Sequence, residues 1–117
     1  MNPYDKAHEL ARALRESSEY KALLEQKGRV DQDPVAKKML DDFRHRQWEL
    51  ETRRIMGEEI TDTDREQMEK LAQAVQLNAV LSEYLQAEYR FGIVYSDVHK
   101  ILGDAVKEVV GQPEASL

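Results

Sequence analysis

The fold is decided by one stretch, AVLSEYLQAEYRFGIVYSDVHKILGDAVKEVV, which occupies residues 79–110. The stretch contains no proline, and its apolar residues keep a seven-residue rhythm, as they do on a helix that packs lengthwise against others. The seam comprises Leu81, Tyr84, Phe91, Tyr95, Val98, Leu102, Ala105 and Val109. Further apolar residues flank it, so the apolar band is wider than one partner helix covers. The pattern therefore predicts a long C-terminal helix. Part of its apolar band is expected to be covered by other copies of the chain.

Two upstream helices are marked by an acceptor side chain that is followed by proline. Asn2 and Asp33 can each accept a free backbone N–H, and the next residue, a proline, has no N–H to leave unpaired. The first helix is therefore predicted to run to about Arg15, and a long third helix to about Met56. Gly57 then ends the third helix, because glycine readily takes the left-handed conformation of a helix end.

The remaining three helix starts carry hydroxyl or amide caps. Ser17 or Ser18 is predicted to cap the second helix, and Thr61, with Asp64 three residues later, begins the fourth. Asn78 is predicted to separate the fourth helix from the fifth, although an uninterrupted helix through it is the alternative.

Composition favours one helical domain. The chain has 117 residues, 41% of them hydrophobic, and only 5 glycines and 3 prolines, too few for a fold with many tight turns. We predict an all-α bundle of five helices that is stabilised by oligomer formation, with a core at about 2–110 and a short tail at 111–117. There is no cysteine, which excludes disulfides and thiolate-bound clusters, and no cofactor is expected.

The distribution of charge along the sequence limits which kinds of partner the protein is expected to bind. The net charge is −6, and it comes from the second half: residues 1–57 carry 12 basic against 11 acidic residues, and residues 58–117 carry 5 against 12. This balance disfavours a general nucleic-acid binder but leaves a local basic patch open. No apolar run reaches the ~18 residues of a membrane span, and the first residues do not resemble a secretory signal. We therefore expect a cytoplasmic protein with no membrane partner.

The third helix carries a second apolar surface. Counting ~100° per residue, Trp48 lies about 140° around the axis from the inward-facing Phe43, and Ile55 lies almost beneath Trp48. These two side chains either stand in water or contact another subunit. We predict an oligomer interface comprising Trp48, Ile55, Tyr84, Phe91, Tyr95, Val98 and Leu102. The alternative for Trp48 is a lone surface aromatic.

A basic cluster on the same helix is the candidate for contact with RNA phosphates. It comprises Arg44, Arg46, Arg53 and Arg54. Asp42 and Glu49 precede two of these arginines by four residues, a spacing at which helical ion pairs form and neutralise part of the charge. An RNA-associated accessory protein is therefore the alternative function, and protein interaction is the first.

No combination of residues predicts catalysis. Asp5 precedes His8 by three residues and Asp42 precedes His45 likewise, the spacing used by metal-binding bundle helices. Such a site needs two further carboxylates in the same interior, and Asp42 and His45 lie on the charged side of their helix. No phosphate-binding loop or nucleophile motif occurs. We predict no metal site and no enzymatic activity.

Three phrases resemble one known family. They are YDKAHELARALRESSEY at 4–20, MGEEIT at 56–61 and LQAEYR at 85–90. The pattern is similar to the small helical YlbF/YmcA proteins of Gram-positive bacteria, and within them to the uncharacterised YheA-like branch. The resemblance implies an oligomeric, non-catalytic, cytoplasmic protein. It also implies a regulatory adaptor, since better-known relatives regulate competence, sporulation and biofilm formation in a complex associated with messenger-RNA processing. The iron–sulfur clusters of that complex have no thiolate ligands here.

Overall fold

The computed structural model describes residues 2–111, which form five α-helices and no strand. The helices are α1 Pro3–Glu16, α2 Ser18–Asp31, α3 Pro34–Ile55, α4 Asp62–Leu77 and α5 Ala79–Val110. With 22 residues in α3 and 32 in α5, the predicted all-helical fold with a long third and a long fifth helix is confirmed. Apart from residue 111, the predicted tail lies outside the described residues.

The two predicted proline-associated caps are both formed. The side-chain oxygen of Asn2 accepts the backbone N–H of Tyr4 at 2.8 Å, and that of Asp33 accepts the N–H of Ala36 at 3.0 Å. Each bond satisfies a donor that has no partner within its helix. Beyond α3, Gly57 has a φ of +83°, a conformation that disfavours any residue with a Cβ atom.

The caps of α2 and α4 are also formed by side-chain oxygens. Ser17, rather than Ser18, caps α2, because its Oγ accepts the N–H of Tyr20 at 3.1 Å. At the start of α4, Thr61 Oγ1 accepts the N–H of Asp64 at 3.1 Å, and Asp64 Oδ2 accepts the N–H of Thr61 at 3.0 Å. This reciprocal pair is a capping box.

Asn78 separates α4 from α5, as predicted, and its side chain is expected to stabilise the break. Its Oδ1 accepts the N–H of Leu81 at 3.0 Å. Asn78→Ala removes this acceptor and should lower the free energy of unfolding by ~1 kcal/mol in denaturant titrations followed by circular dichroism. Asn78→Asp keeps an acceptor and should lose less. An alanine variant as stable as the wild type would contradict the capping role.

The chain divides into two compact units. The terminal unit comprises the residues up to Leu23 and those from Ala87, and the central unit is Leu24–Gln86. Both α2 and α5 contribute residues to each unit. The single-domain assignment remains a prediction.

The central unit has a small apolar core. Its buried side chains come from the end of α2, the first half of α3, the end of α4 and the start of α5, and they are Val30, Ala36, Leu40, Val75, Leu81 and Tyr84. Helices α3 and α4 pack along each other. An ion pair between Arg29 Nη1 and Glu83 Oε2 at 2.9 Å joins α2 to α5.

The face of α3 that carries Phe43 meets the core of the central unit. Ala36 and Leu40 are buried, and Met39, Phe43 and Leu50 are half-buried. These residues recur at three- and four-residue steps, so one face of the helix meets the core while the opposite face stays in water.

The terminal unit buries much less of its apolar surface. Helix α1 contains no buried residue, although Leu10 and Leu14 are half-buried. The ring of Tyr20 contacts the ring of Phe91 edge-on, with centroids 5.5 Å apart, and so ties the start of α2 to α5. Within residues 2–111, no helix combines the length and the apolar character that a membrane span requires.

Candidate interaction surfaces

Two of the predicted RNA-contacting arginines converge on one carboxylate. Arg46 Nη2 lies 3.0 Å from Asp64 Oδ1, and Arg53 Nη2 lies 3.0 Å from Asp64 Oδ2. Arg46 also pairs with Glu49 through its Nη1 at 2.9 Å. The Asp64 side chain is only 13% exposed. This cluster, which we call the Asp64 cluster, fastens the start of α4 to the second half of α3.

The environment of Asp64 favours its charged form. The backbone N–H of Thr61 donates to the carboxylate, and the guanidinium of Arg53 and the hydroxyl of Thr61 also contribute. Together they lower the pKa of Asp64 from 3.8 to about 2, against the opposing effect of desolvation. Asp64 is therefore ionised at neutral pH, and its charge offsets that of the two arginines.

The other two arginines of the predicted RNA-contact set also have partners within the chain. The guanidinium carbon of Arg44 lies 5.6 Å from the centre of the Tyr84 ring, a cation–π contact. Arg54 Nε donates to Glu51 Oε2 at 3.1 Å, and this bond lowers the pKa of Glu51.

These contacts weaken the case for RNA. A phosphate would have to compete with carboxylates that already neutralise Arg46, Arg53 and Arg54, so fewer counterions would be released on binding. Sequence reasoning missed the Asp64 cluster, because it paired Arg46 with Asp42 and Arg53 with Glu49 at four-residue spacing. In the structure Asp42 pairs with Lys38 at 3.0 Å instead. RNA contact through the four arginines of the basic cluster remains a prediction.

The second apolar surface of α3 faces outward, as its angular position predicts. The Trp48 side chain is 66% exposed and that of Ile55 is 73% exposed. The His45 ring centroid lies 6.4 Å from that of Trp48. We call the exposed pair of Trp48 and Ile55 the α3 surface. Its contact with a partner remains a prediction.

The predicted interface residues on α5 differ in their exposure. Phe91 and Val98 are half-buried, whereas Tyr95 and Leu102 are about half exposed. The ring of Phe91 stacks on that of Tyr95 at 5.9 Å, and the Tyr95 ring meets His99 edge-on at 4.5 Å. A row of contacting aromatic rings therefore runs along residues 91–99 of α5.

Tyr84 departs from the interface prediction. It is only 7% exposed, because its own chain covers it in the core of the central unit and Arg44 lies over its ring. Conversely, the interface prediction omitted Val106 and Val109, which are both exposed. Their spacing from Leu102, four and seven residues, was the signal that could have included them.

No metal-binding cluster is assembled in the described part of the chain. Among residues 2–111, no group of three or more His, Asp or Glu side chains is placed to hold a metal ion. The two carboxylate–histidine pairs noted in the sequence, Asp5 with His8 and Asp42 with His45, therefore belong to no such group.

Fold and surfaces together define a small all-helical protein in which exposed apolar helix faces stand out. The chain belongs to the family described as control of competence regulator ComK, YlbF/YmcA, whose model matches residues 4–107. This confirms the family resemblance seen in the sequence.

Relatives of known sequence and structure agree with this membership. A UPF0342 protein of Alkalihalophilus pseudofirmus is 36% identical over 113 residues, covering 97% of this chain and 96% of the relative. The structure of yheA from Bacillus subtilis matches with a TM-score of 0.67 and 28% identity, over 93% of this chain and 99% of that one. Neither of these two names denotes an enzyme.

Two further structures share the fold at lower identity. A protein of unknown function (DUF964) from Bacillus stearothermophilus matches with a TM-score of 0.78 and 23% identity, over 97% of each chain. A chain of the crystal structure of Bacillus subtilis RicA in complex with RicF matches with a TM-score of 0.62 and 20% identity, over 92% of this chain and 95% of that one.

Proposed function

We propose that this protein is a non-enzymatic, oligomeric interaction protein of the cytoplasm, a regulatory adaptor that acts by packing its helices against those of another helical protein. The observation that carries the proposal is the α3 surface, where Trp48 and Ile55 stand exposed on the side of the helix away from the core.

The α3 surface has the composition of a binding anchor. Trp48 and Ile55 are seven residues apart, so they lie one above the other on the helix. Tryptophan is enriched among the few residues that dominate binding energy in protein interfaces. Burying such a pair against a partner would gain roughly 2 kcal/mol per side chain. The ion pair of Arg54 with Glu51 lies on the same helix and would supply a polar rim.

The family supports both parts of the proposal. Its description names control of a competence regulator, which favours a regulatory role. A chain of the complex between RicA and RicF shares this fold, so a chain of this shape can work by protein partnering. The absence of cysteine means that this chain would do so without thiolate-bound clusters.

Trp48→Ala is expected to weaken partner binding by ~30-fold, since truncating a buried aromatic anchor commonly removes about 2 kcal/mol. The assay is calorimetric titration of the purified chain with each other YlbF/YmcA-family protein of its own organism. Tyr89→Ala is the matched control, because Tyr89 is an equally exposed aromatic, on α5. The adaptor proposal fails if no family protein binds the wild-type chain. If Trp48→Ala binds as well as wild type, the α3 surface is not the contact.

A further inference from the structure

The part of α5 that belongs to the terminal unit carries two apolar seams side by side, and the first is covered within the chain. This first seam comprises Ala87, Phe91, Val94 and Val98, at steps of four, three and four residues. Ala87 is buried and the other three are half-buried. Tyr20 of α2 contributes to the cover through its contact with Phe91.

The second seam is exposed. It runs at steps of four, three, four and three residues and comprises Tyr95, His99, Leu102, Val106 and Val109. The apolar side chains in it are between 49% and 90% exposed. We call this set the open seam. Its spacing is that of a helix that packs lengthwise against another helix.

The open seam is as large as the largest apolar patches that stable monomers expose. Together with Val110, which borders it and is also exposed, it presents apolar area on the order of 550 Å². The largest apolar patch on a typical monomer is about 300–600 Å². A specific interface buries about 800 Å² on each partner, so the open seam supplies most of one side of such an interface.

We infer that the open seam binds the open seam of a second copy of this chain, with the two α5 helices antiparallel. This inference rests on the proposed function and specifies how the oligomer forms. In the antiparallel register that alternates seam positions, Tyr95 lies opposite Val106 of the second copy, and Val109 lies opposite Gly92. Tyr95 and Val109 thus each face a smaller residue, and the two-fold axis repeats each contact.

Charge placement agrees with a second copy as the occupant. The charged residues of this segment are Asp97, Lys100, Asp104, Lys107 and Glu108. At ~100° per residue, all five lie about 120° or more around the axis from the centre of the open seam. Two copies can therefore approach along the seam without bringing like charges together.

His99 is the one polar side chain in the open seam, and it makes the inference sharply testable. It packs edge-on against Tyr95 and would lie opposite Leu102 of the second copy. A polar residue at a seam position weakens helix association. Replacing it by leucine should therefore tighten the assembly, a gain that misfolding of the variant would not produce.

Analytical ultracentrifugation of the purified full-length chain tests the inference. The wild type should sediment as a dimer at micromolar concentration. Val106→Glu, which places a charge in the seam, should raise the dissociation constant at least ~100-fold, and His99→Leu should lower it ~10-fold. Tyr89→Glu is the control, an exposed aromatic outside the seam, and should leave it unchanged. Circular dichroism checks that each variant is folded.

Crosslinking distinguishes the antiparallel pairing from a parallel one. The chain has no cysteine, so each introduced thiol is the only one present. Oxidising a mixture of His99→Cys and Leu102→Cys chains should give mainly the mixed dimer, whereas parallel helices would crosslink each variant to itself.

A monomeric wild type at high concentration, or a folded Val106→Glu chain that still dimerises normally, would overturn the self-association. Predominant self-crosslinking of each variant would overturn the antiparallel geometry. A monomeric wild type would also remove the oligomeric part of the proposed function, whereas its adaptor part is judged separately, by the titration with other family proteins.

Discussion

Replacing Leu81 by alanine is expected to lower the free energy of unfolding by ~3 kcal/mol, because it opens a cavity in the core of the central unit. Leu81 is 0% exposed and lies in the first turn of α5, where its backbone N–H is held by Asn78. Buried Val75 and Tyr84 belong to the same small core, so few neighbours can move to fill the space. Denaturant unfolding followed by circular dichroism measures the loss, at one fixed protein concentration because an oligomer's stability depends on it.

The same substitution at Leu77 is the control. Leu77 ends α4 and is 87% exposed, so Leu77→Ala removes little buried surface and should change stability by less than ~0.5 kcal/mol. Equal losses at the two positions would mean that the core does not lie where the structure places it.

Helix boundaries could be predicted from the sequence because they depend on local chemistry. The caps at Asn2, Asp33, Thr61 and Asn78 each bond a backbone N–H only two or three residues away. Such a bond needs no tertiary contact, so its residues are recognisable in the chain itself. The angular position of Trp48 on α3 was likewise a property of one helix.

Contacts between helices could not be predicted in the same way. Asp64 lies 18 residues from Arg46 and 11 from Arg53, and only the packing of α4 on α3 brings them together. From the sequence, we therefore paired each arginine with an acidic residue on its own helix and predicted that the basic cluster is available to RNA. Both interpretations lacked the contact of the two arginines with Asp64.

Which apolar residues of α5 are exposed to solvent also could not be predicted from the sequence. One seven-residue rhythm runs through Tyr84 and Leu102, yet Tyr84 is buried while Leu102 is half exposed. The difference depends on which other helices pack beside each segment of α5, and a periodic pattern carries no information about that. The interface prediction therefore included a core residue and omitted Val106 and Val109.

The Asp64 cluster predicts how stability depends on pH. The pKa of Asp64 is about 2 in the folded chain, below its ordinary value of 3.8, which it regains on unfolding. Between these pH values the unfolded chain binds a proton that the folded chain does not, so stability rises with pH. The stabilisation from this group is complete well above pH 3.8 and is lost as the pH falls toward 2.

Asp64→Asn should remove this contribution. The amide oxygen can still accept the N–H of Thr61, but the charge that holds Arg46 and Arg53 is gone, so the variant should be less stable at neutral pH and its stability should fall less steeply in acid. Denaturant titrations at several pH values between 2 and 6 would show about one proton fewer taken up on unfolding. Asp62→Asn makes the same charge change in the first turn of α4 at a side chain that is 96% exposed, and should leave the slope unaltered. Identical acid profiles for wild type and Asp64→Asn would show that the two arginines do not hold this carboxylate in solution.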